Sequence, residues 1–348
     1  MKEHPAVKLL TELLQVPSPS GWESGMTAVI QQKLDEIGYQ HELDAAGNVL
    51  VRLEGRGDPA APLTIFASHM DEIGLVVTRI EPDGRLRASH SGGLLPWKLG
   101  EAPLQILGDE ETITGILSMG STHGGDLGNK AITWADVHIL TGLSPTQLQA
   151  RGVRVGSPGV PVQAGRGPFL FGDPADPLIA AWTFDDRAGV MTLLRLLARL
   201  KEEAIQPPQP TIIAFVTSEE LGGHGAKHLA RQERPEIFIA IDGAPIPAGV
   251  PLQIDGRPAA WSKDSAATYD RRLIQQFSQA ARAAGTELQT AVYDGAASDA
   301  SLLAYAGLAP RIACFGHPRE NSHGYEVARL AVFDNVLNTL VQFIKRLV

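Results

Sequence analysis

The feature that most constrains the fold is a change of periodicity along the chain. From residue 179 onward, apolar runs of strand length alternate with runs at helical spacing. Residues 211–217 and 237–241 are short and almost wholly apolar, whereas Leu193, Leu194, Leu197 and Leu200 stripe one helical face. Helical spacing also marks Val7, Leu9, Leu10, Leu13 and Leu14, and residues 63–68 form an earlier buried-strand run. Between these regions, over residues 74–172, helical spacing almost vanishes. Alternating runs such as Leu75-Val76-Val77-Thr78 and Thr112-Ile113-Thr114-Gly115-Ile116 sit there between glycines and prolines. Alternation of strand and helix builds a mainly parallel sheet with helices on both faces. A series of short strands builds a barrel or sandwich. The expected architecture is α/β, with a mixed, mainly parallel sheet interrupted by a small all-β, barrel-like domain. Its segments are 1–73, 74–172 for the insertion, and 173–348. The pattern predicts helices over 23–38, 145–150, 225–231, 270–284, 300–305 and 330–347, and strands over 49–53, 104–107, 287–293 and 312–315.

Charge and composition narrow the partners. The 39 acidic residues exceed the 30 basic ones, giving a net charge of -9, and no basic stripe exists to displace counterions from nucleic acid. No run approaches the ~18 apolar residues of a membrane span. A single cysteine, Cys314, excludes an intrachain disulfide framework and a cysteine-rich zinc knuckle, and its apolar strand makes it a core residue. Residues 1–14 carry charge every few positions and lack the apolar core of a secretion signal, so a cytoplasmic location is expected.

In open α/β sheets, ligands bind beyond the carboxyl ends of the strands. Metal-competent residues stand at such ends here: His69-Met70-Asp71, Asp185-Asp186, Glu219-Glu220 and Asp242, with His323 in the loop before the last helix. Imidazole and carboxylate without thiolate suit Zn2+, Mn2+ or Co2+. Each residue also has a plainer role open to it. Asp185 or Asp186 could cap the following helix, Asp242 could serve the turn at Gly243, and His317 competes with His323. Asp71, two residues beyond His69, could hold that imidazole in one tautomer. In the Glu219-Glu220 pair, one carboxylate could bind metal while the other faces a water. Gly222-Gly223-His224-Gly225 lacks the spacing of a dinucleotide fingerprint.

The chain resembles the dinuclear-metal tetrahedral aminopeptidases, a family also known under the names glutamyl aminopeptidase and endoglucanase. The resemblance spans nearly the whole chain. It is carried by His69-Met70-Asp71-Glu72-Ile73-Gly74, Asp185-Asp186-Arg187-Ala188-Gly189, Ser218-Glu219-Glu220-Leu221-Gly222, Ala240-Ile241-Asp242 and Ser298-Asp299-Ala300. It implies two divalent metal ions per chain, Zn2+ foremost, with Co2+ or Mn2+ as alternatives. Asp185 would bridge them, His69 and Asp242 would complete one site, and Glu220 and His323 the other, with His317 as the alternative ligand. Glu219 would be the general base, and Asp71 would orient His69. The implied activity is removal of N-terminal residues from short peptides, and the implied assembly is a homo-oligomer, dimers building a dodecamer through the inserted domain. The alternatives are a deacylase of N-acylated amino acids on the same scaffold, a glycosidase, and a non-catalytic assembly protein.

Overall fold

The structure is a computed structural model that describes residues 4–121, 123 and 131–347. Three strands precede the change of periodicity: β1 (Glu42–Leu43), β2 (Val49–Leu53) and β3 (Thr64–His69). The next six are β4 (Gly74–Ile80), β5 (Leu86–Ser91), β6 (Pro103–Leu107), β7 (Thr112–Ser118), β8 (His138–Leu140) and β9 (Pro158–Pro161). They close into a barrel in the order β4-β5-β8-β7-β6-β9. Then follow β10 (Phe169–Phe171), β11 (Leu178–Trp182), β12 (Thr211–Val216), β13 (Ile237–Ile241), β14 (Ala244–Pro245), β15 (Ala259–Lys263), β16 (Gln289–Val292), β17 (Arg311–Gly316), β18 (Pro318–Arg319) and β19 (Tyr325–Arg329). The main sheet has the order β1-β2-β12-β3-β13-β17-β15-β16. Its centre, β12-β3-β13-β17, is parallel, and β2 and β15 flank it in the antiparallel sense.

The helices are α1 (Pro5–Leu14), α2 (Ser24–Ile37), α3 (Pro96–Leu99), α4 (Pro145–Ala150), α5 (Arg187–Glu202), α6 (His224–Glu233), α7 (Arg271–Ala283), α8 (Asp299–Tyr305) and α9 (Ala331–Lys345). Side chains alternate across a strand, so each central strand feeds two cores. Phe66, Ile213, Phe215, Ile239 and Phe315 point to one side, under α1, α2, α5, α7 and α9. Ile65, Ile212, Ala214, Phe238 and Cys314 point to the other, under α6 and α8. Phe277 stacks on Phe343 at 4.0 Å and on Phe315 at 4.4 Å, pinning α7 and α9 to the sheet. Leu75, Leu104, Ile106, Leu117 and Ile139 fill the separate core of the barrel.

One expectation needs correction, and one strand has no expectation attached to it. The segment before Asp185-Asp186 is not a strand of the main sheet. Strand β11 pairs with β10 and β19 in a small antiparallel sheet and ends at Trp182. Thr183, with φ of 43°, then turns the chain toward α5. Strand β15 carries no sequence signal because Ala259-Ala260 are poor strand formers, and its place comes from pairing with β16 and β17.

The chain enters and leaves the barrel through one buried ion cluster. Glu72 Oε1 accepts from Ser18 N at 2.9 Å and lies 3.1 Å from the guanidinium groups of both Arg166 and Arg187. All three charged side chains are fully buried. Among the described residues, no helix is long and apolar enough to cross a membrane.

Candidate metal centre

Because β3, β12, β13 and β17 run parallel, their carboxyl ends share one edge of the sheet. His69 closes β3, Glu219-Glu220 follow β12, Asp242 follows β13, and His317 and Arg319 follow β17. Asp185 arrives from the small sheet and His323 from the turn before β19. Ser218 and His323 hold left-handed backbone, with φ of 55° and 60°, a conformation uncommon outside glycine and enriched at functional sites.

The structure brings the predicted residues together. His69 Nε2 lies 3.1 Å from Asp185 Oδ1. His323 Nε2 lies 3.5 Å from Asp185 Oδ2 and 3.8 Å from Glu220 Oε1. Potential ligand atoms of His69, Asp185 and Asp242 lie within 4.8 Å of one another, and those of Asp185, Glu220 and His323 do the same. The two groups share Asp185. A third group, His69 with Glu219 and Glu220, overlaps both. Asp71 sits behind them, fully buried, with Oδ1 3.3 Å from His69 Nδ1. It also accepts from Ser20 Oγ at 2.6 Å, Glu219 N at 3.0 Å and Glu220 N at 3.2 Å. One carboxylate thus ties the end of β3 to the acidic turn after β12.

The plainer roles also find owners. Asp186, not Asp185, caps α5: its Oδ1 accepts from Gly189 N at 3.0 Å, and its Oδ2 from Ser68 Oγ at 2.6 Å. His317 packs against Phe184 and Phe333, with centroids 5.9 and 5.3 Å away, and joins none of the ligand groups among the described residues. Burial and the nearby Arg319 push its pKa down to about 3. As pH falls through the ordinary value of 6.5, the unfolded chain takes up this proton and the folded one does not. Stability therefore declines toward acid by about 1.4 kcal/mol per pH unit from this residue. His317→Leu is expected to flatten the decline between about pH 6 and pH 4, read by urea unfolding of metal-free protein. Parallel profiles for the two proteins would contradict the assignment.

Sequence reasoning missed Arg319 and Glu326. The Arg319 guanidinium pairs with Asp185, lies 3.4 Å from Asp242 Oδ1 and 3.0 Å from Glu326 Oε1, and is 3% exposed. Glu326 accepts from Asp185 N at 3.0 Å and His323 N at 3.1 Å, fixing the loops that carry both side chains. An arginine after an apolar strand and a glutamate seven residues on carry no sequence signal of this pairing; only burial reveals it.

Charge crowding explains the electrostatics. Burial pushes the Glu219 carboxyl well above its usual range, with His69 offsetting and Asp299 and Glu220 adding to the rise. Burial likewise raises Glu220, to about 8, and raises Asp242. For Asp185 burial also acts upward, but Arg319, His323 and His69 prevail and hold it well below the ordinary value. His69 is raised, because its bonds to Asp185 and Asp71 outweigh burial. Glu220 Oε1 is buried without a hydrogen-bond partner. A surplus of close carboxylates with an orphaned oxygen is a site that a divalent cation completes. The donors, imidazole and carboxylate only, fit Zn2+, Co2+ or Mn2+.

A mixed α/β sheet with a histidine–carboxylate cluster at its carboxyl edge is a build suited to holding divalent metal. The family model for the M42 glutamyl aminopeptidases matches residues 47–338, and the chain belongs to that family. It is 28% identical to the glutamyl aminopeptidase of Lactococcus lactis over 252 residues, covering 69% of this chain and 66% of that protein. It is 26% identical to the lysyl aminopeptidase of Pyrococcus furiosus over 241 residues, covering 68% and 65% respectively. These matched stretches span just under two thirds of the relatives' own length. The Pyrococcus horikoshii TET1 peptidase shares the fold, with a TM-score of 0.85 at 24% identity, over 98% of this chain and 100% of that one.

Proposed function

We propose that the protein is an aminopeptidase that removes N-terminal residues from short peptides at a dinuclear metal centre, with Glu219 as general base. The observation that carries the reading is the sharing of Asp185 by two ligand groups. These groups use His69, Asp185, Glu220, Asp242 and His323, and they leave Glu219 over beside them. When bound, two divalent ions, Zn2+ foremost, supply Lewis acidity that polarises a peptide carbonyl and acidifies water. Glu219 takes the proton of the attacking water and delivers it to the leaving amine. Asp71 holds both His69 Nδ1 and the backbone of Glu219, so ligand and base keep a fixed relation. With the ions in place, the free amine of a peptide would be a further ligand for one of them, which favours exopeptidase action.

The test is metal reconstitution followed by elemental analysis and assay. Close to two ions per chain are expected, with cleavage of peptides bearing a free amine and none of their N-acetylated forms. Absence of bound metal after reconstitution, or equal cleavage of acetylated peptides, refutes the reading.

The barrel segment, 74–172, is the proposed assembly domain. Ile116, Leu140 and Val155 are exposed on it, from 43% to 61%. The structural relative from P. horikoshii is described as assembling into a tetrahedron or a large octahedral shell. A solution mass of several chains is expected, and a monomer at micromolar concentration would contradict it.

A further inference from the structure

We propose that the cleft selects peptides whose N-terminal residue carries an uncharged, apolar side chain of the leucine, methionine or phenylalanine type. The inference rests on the aminopeptidase reading and names its substrate class. The cleft, of about 840 Å3, is lined by two unlike sets of residues. One is the acidic cluster with His323. The other is apolar: Pro247 and Val250 after β14, Trp261 of β15, Tyr293 and Ala296 after β16, and Leu302 of α8. This second set is continuous with the core under α6 and α8, to which Trp261 and Tyr293 belong and against which Val250 and Ala296 pack. The two rings meet at 4.5 Å, and the Tyr293 hydroxyl is already engaged, donating to the Pro245 carbonyl at 2.9 Å.

Charge on this wall is scarce. Among the described lining residues, the charged groups outside the proposed ligands and Glu219 are Lys98, Asp294 and Arg319. Arg319 is committed to Asp185, Asp242 and Glu326. The Asp294 side chain is 98% exposed and lies 3.4 Å from Lys263 Nζ. Lys98 donates to the Ser322 carbonyl at 3.1 Å, beside His323 and away from the apolar set in sequence and contacts. A lysyl or glutamyl side chain buried against the wall would lose water without gaining an ionic partner, whereas a leucyl side chain would only shed apolar surface from water.

The experiment uses the metal-reconstituted protein and aminoacyl-p-nitroanilides of Leu, Met, Phe, Ala, Glu and Lys. The best of the three larger apolar substrates is expected to exceed Ala by roughly tenfold in kcat/KM, and Glu and Lys by roughly a hundredfold. Ala296→Lys, which adds a cation to the wall, is expected to lower the Leu-to-Glu ratio at least about tenfold. Fastest turnover of the Glu substrate, lost in Lys98→Met, overturns the proposal and assigns recognition to Lys98. Failure to hydrolyse any member of the panel by protein that holds its metal sinks the aminopeptidase reading instead. The wall is then judged by calorimetry with free amino acids: tighter binding of leucine than of glutamate and lysine supports the inference, and equal or reversed order overturns it.

Discussion

Glu219→Gln is expected to lower kcat by about 10²- to 10⁴-fold while leaving metal content unchanged, the span that general acid–base catalysis typically contributes. Glutamine preserves the volume of the side chain and one acceptor oxygen, but it cannot take a proton from water. The backbone bond from residue 219 to Asp71 survives the change, so the turn after β12 keeps its place. Elemental analysis and turnover of the preferred aminoacyl-nitroanilide, measured on one preparation, separate the base from a ligand. If the variant turns over like wild type, Glu219 is not the base; if it loses an ion, Glu219 is a ligand, as its membership in the group with His69 and Glu220 permits.

Asp185→Asn should strike both metal sites at once, whereas Asp242→Asn should strike one. The reason is geometric: of the three ligand groups, Asp185 belongs to two, the one with His69 and Asp242 and the one with Glu220 and His323, whereas Asp242 belongs only to the first of these. Amide oxygen is a far weaker ligand than carboxylate, and the substitution also removes the anion that pairs with Arg319. The expected fall in affinity exceeds the roughly 10- to 100-fold typical of changes behind the ligands. Competitive chelator titration reads the two constants directly. Two ions held at wild-type affinity by the Asp185 variant would remove the bridging role.

Much of this fold is legible in the sequence because its elements announce themselves by period. Strand β13 at Ile237–Ile241 and helix α4 at Pro145–Ala150 fall where the pattern of the sequence puts them. The residues now clustered were also visible, since acids and histidines at successive strand ends are unusual in combination. What stayed hidden depends on long-range pairing. Nothing local distinguishes Asp185, facing the cluster, from Asp186, capping α5, because a one-residue difference in backbone direction decides it. Nothing local places β11 in a separate sheet, since its partners β10 and β19 lie on either side of it in sequence and β19 is distant. Arg319 was invisible for a different reason: arginines are mostly surface residues, and only the acidic loops around it make burial tolerable.

The buried cluster of Glu72, Arg166 and Arg187 works as a rivet at the root of the barrel. Ser18 and Arg187 both donate to the Met70 carbonyl, between His69 and Asp71, so the same rivet grips the strand end that presents the first histidine. The rivet therefore couples the root of the barrel to the strand end that presents His69. A lineage carrying this architecture has room to remodel the outer face of the module, away from Gly93, Leu95 and Lys98 that line the cleft, while the chemistry beneath stays in register.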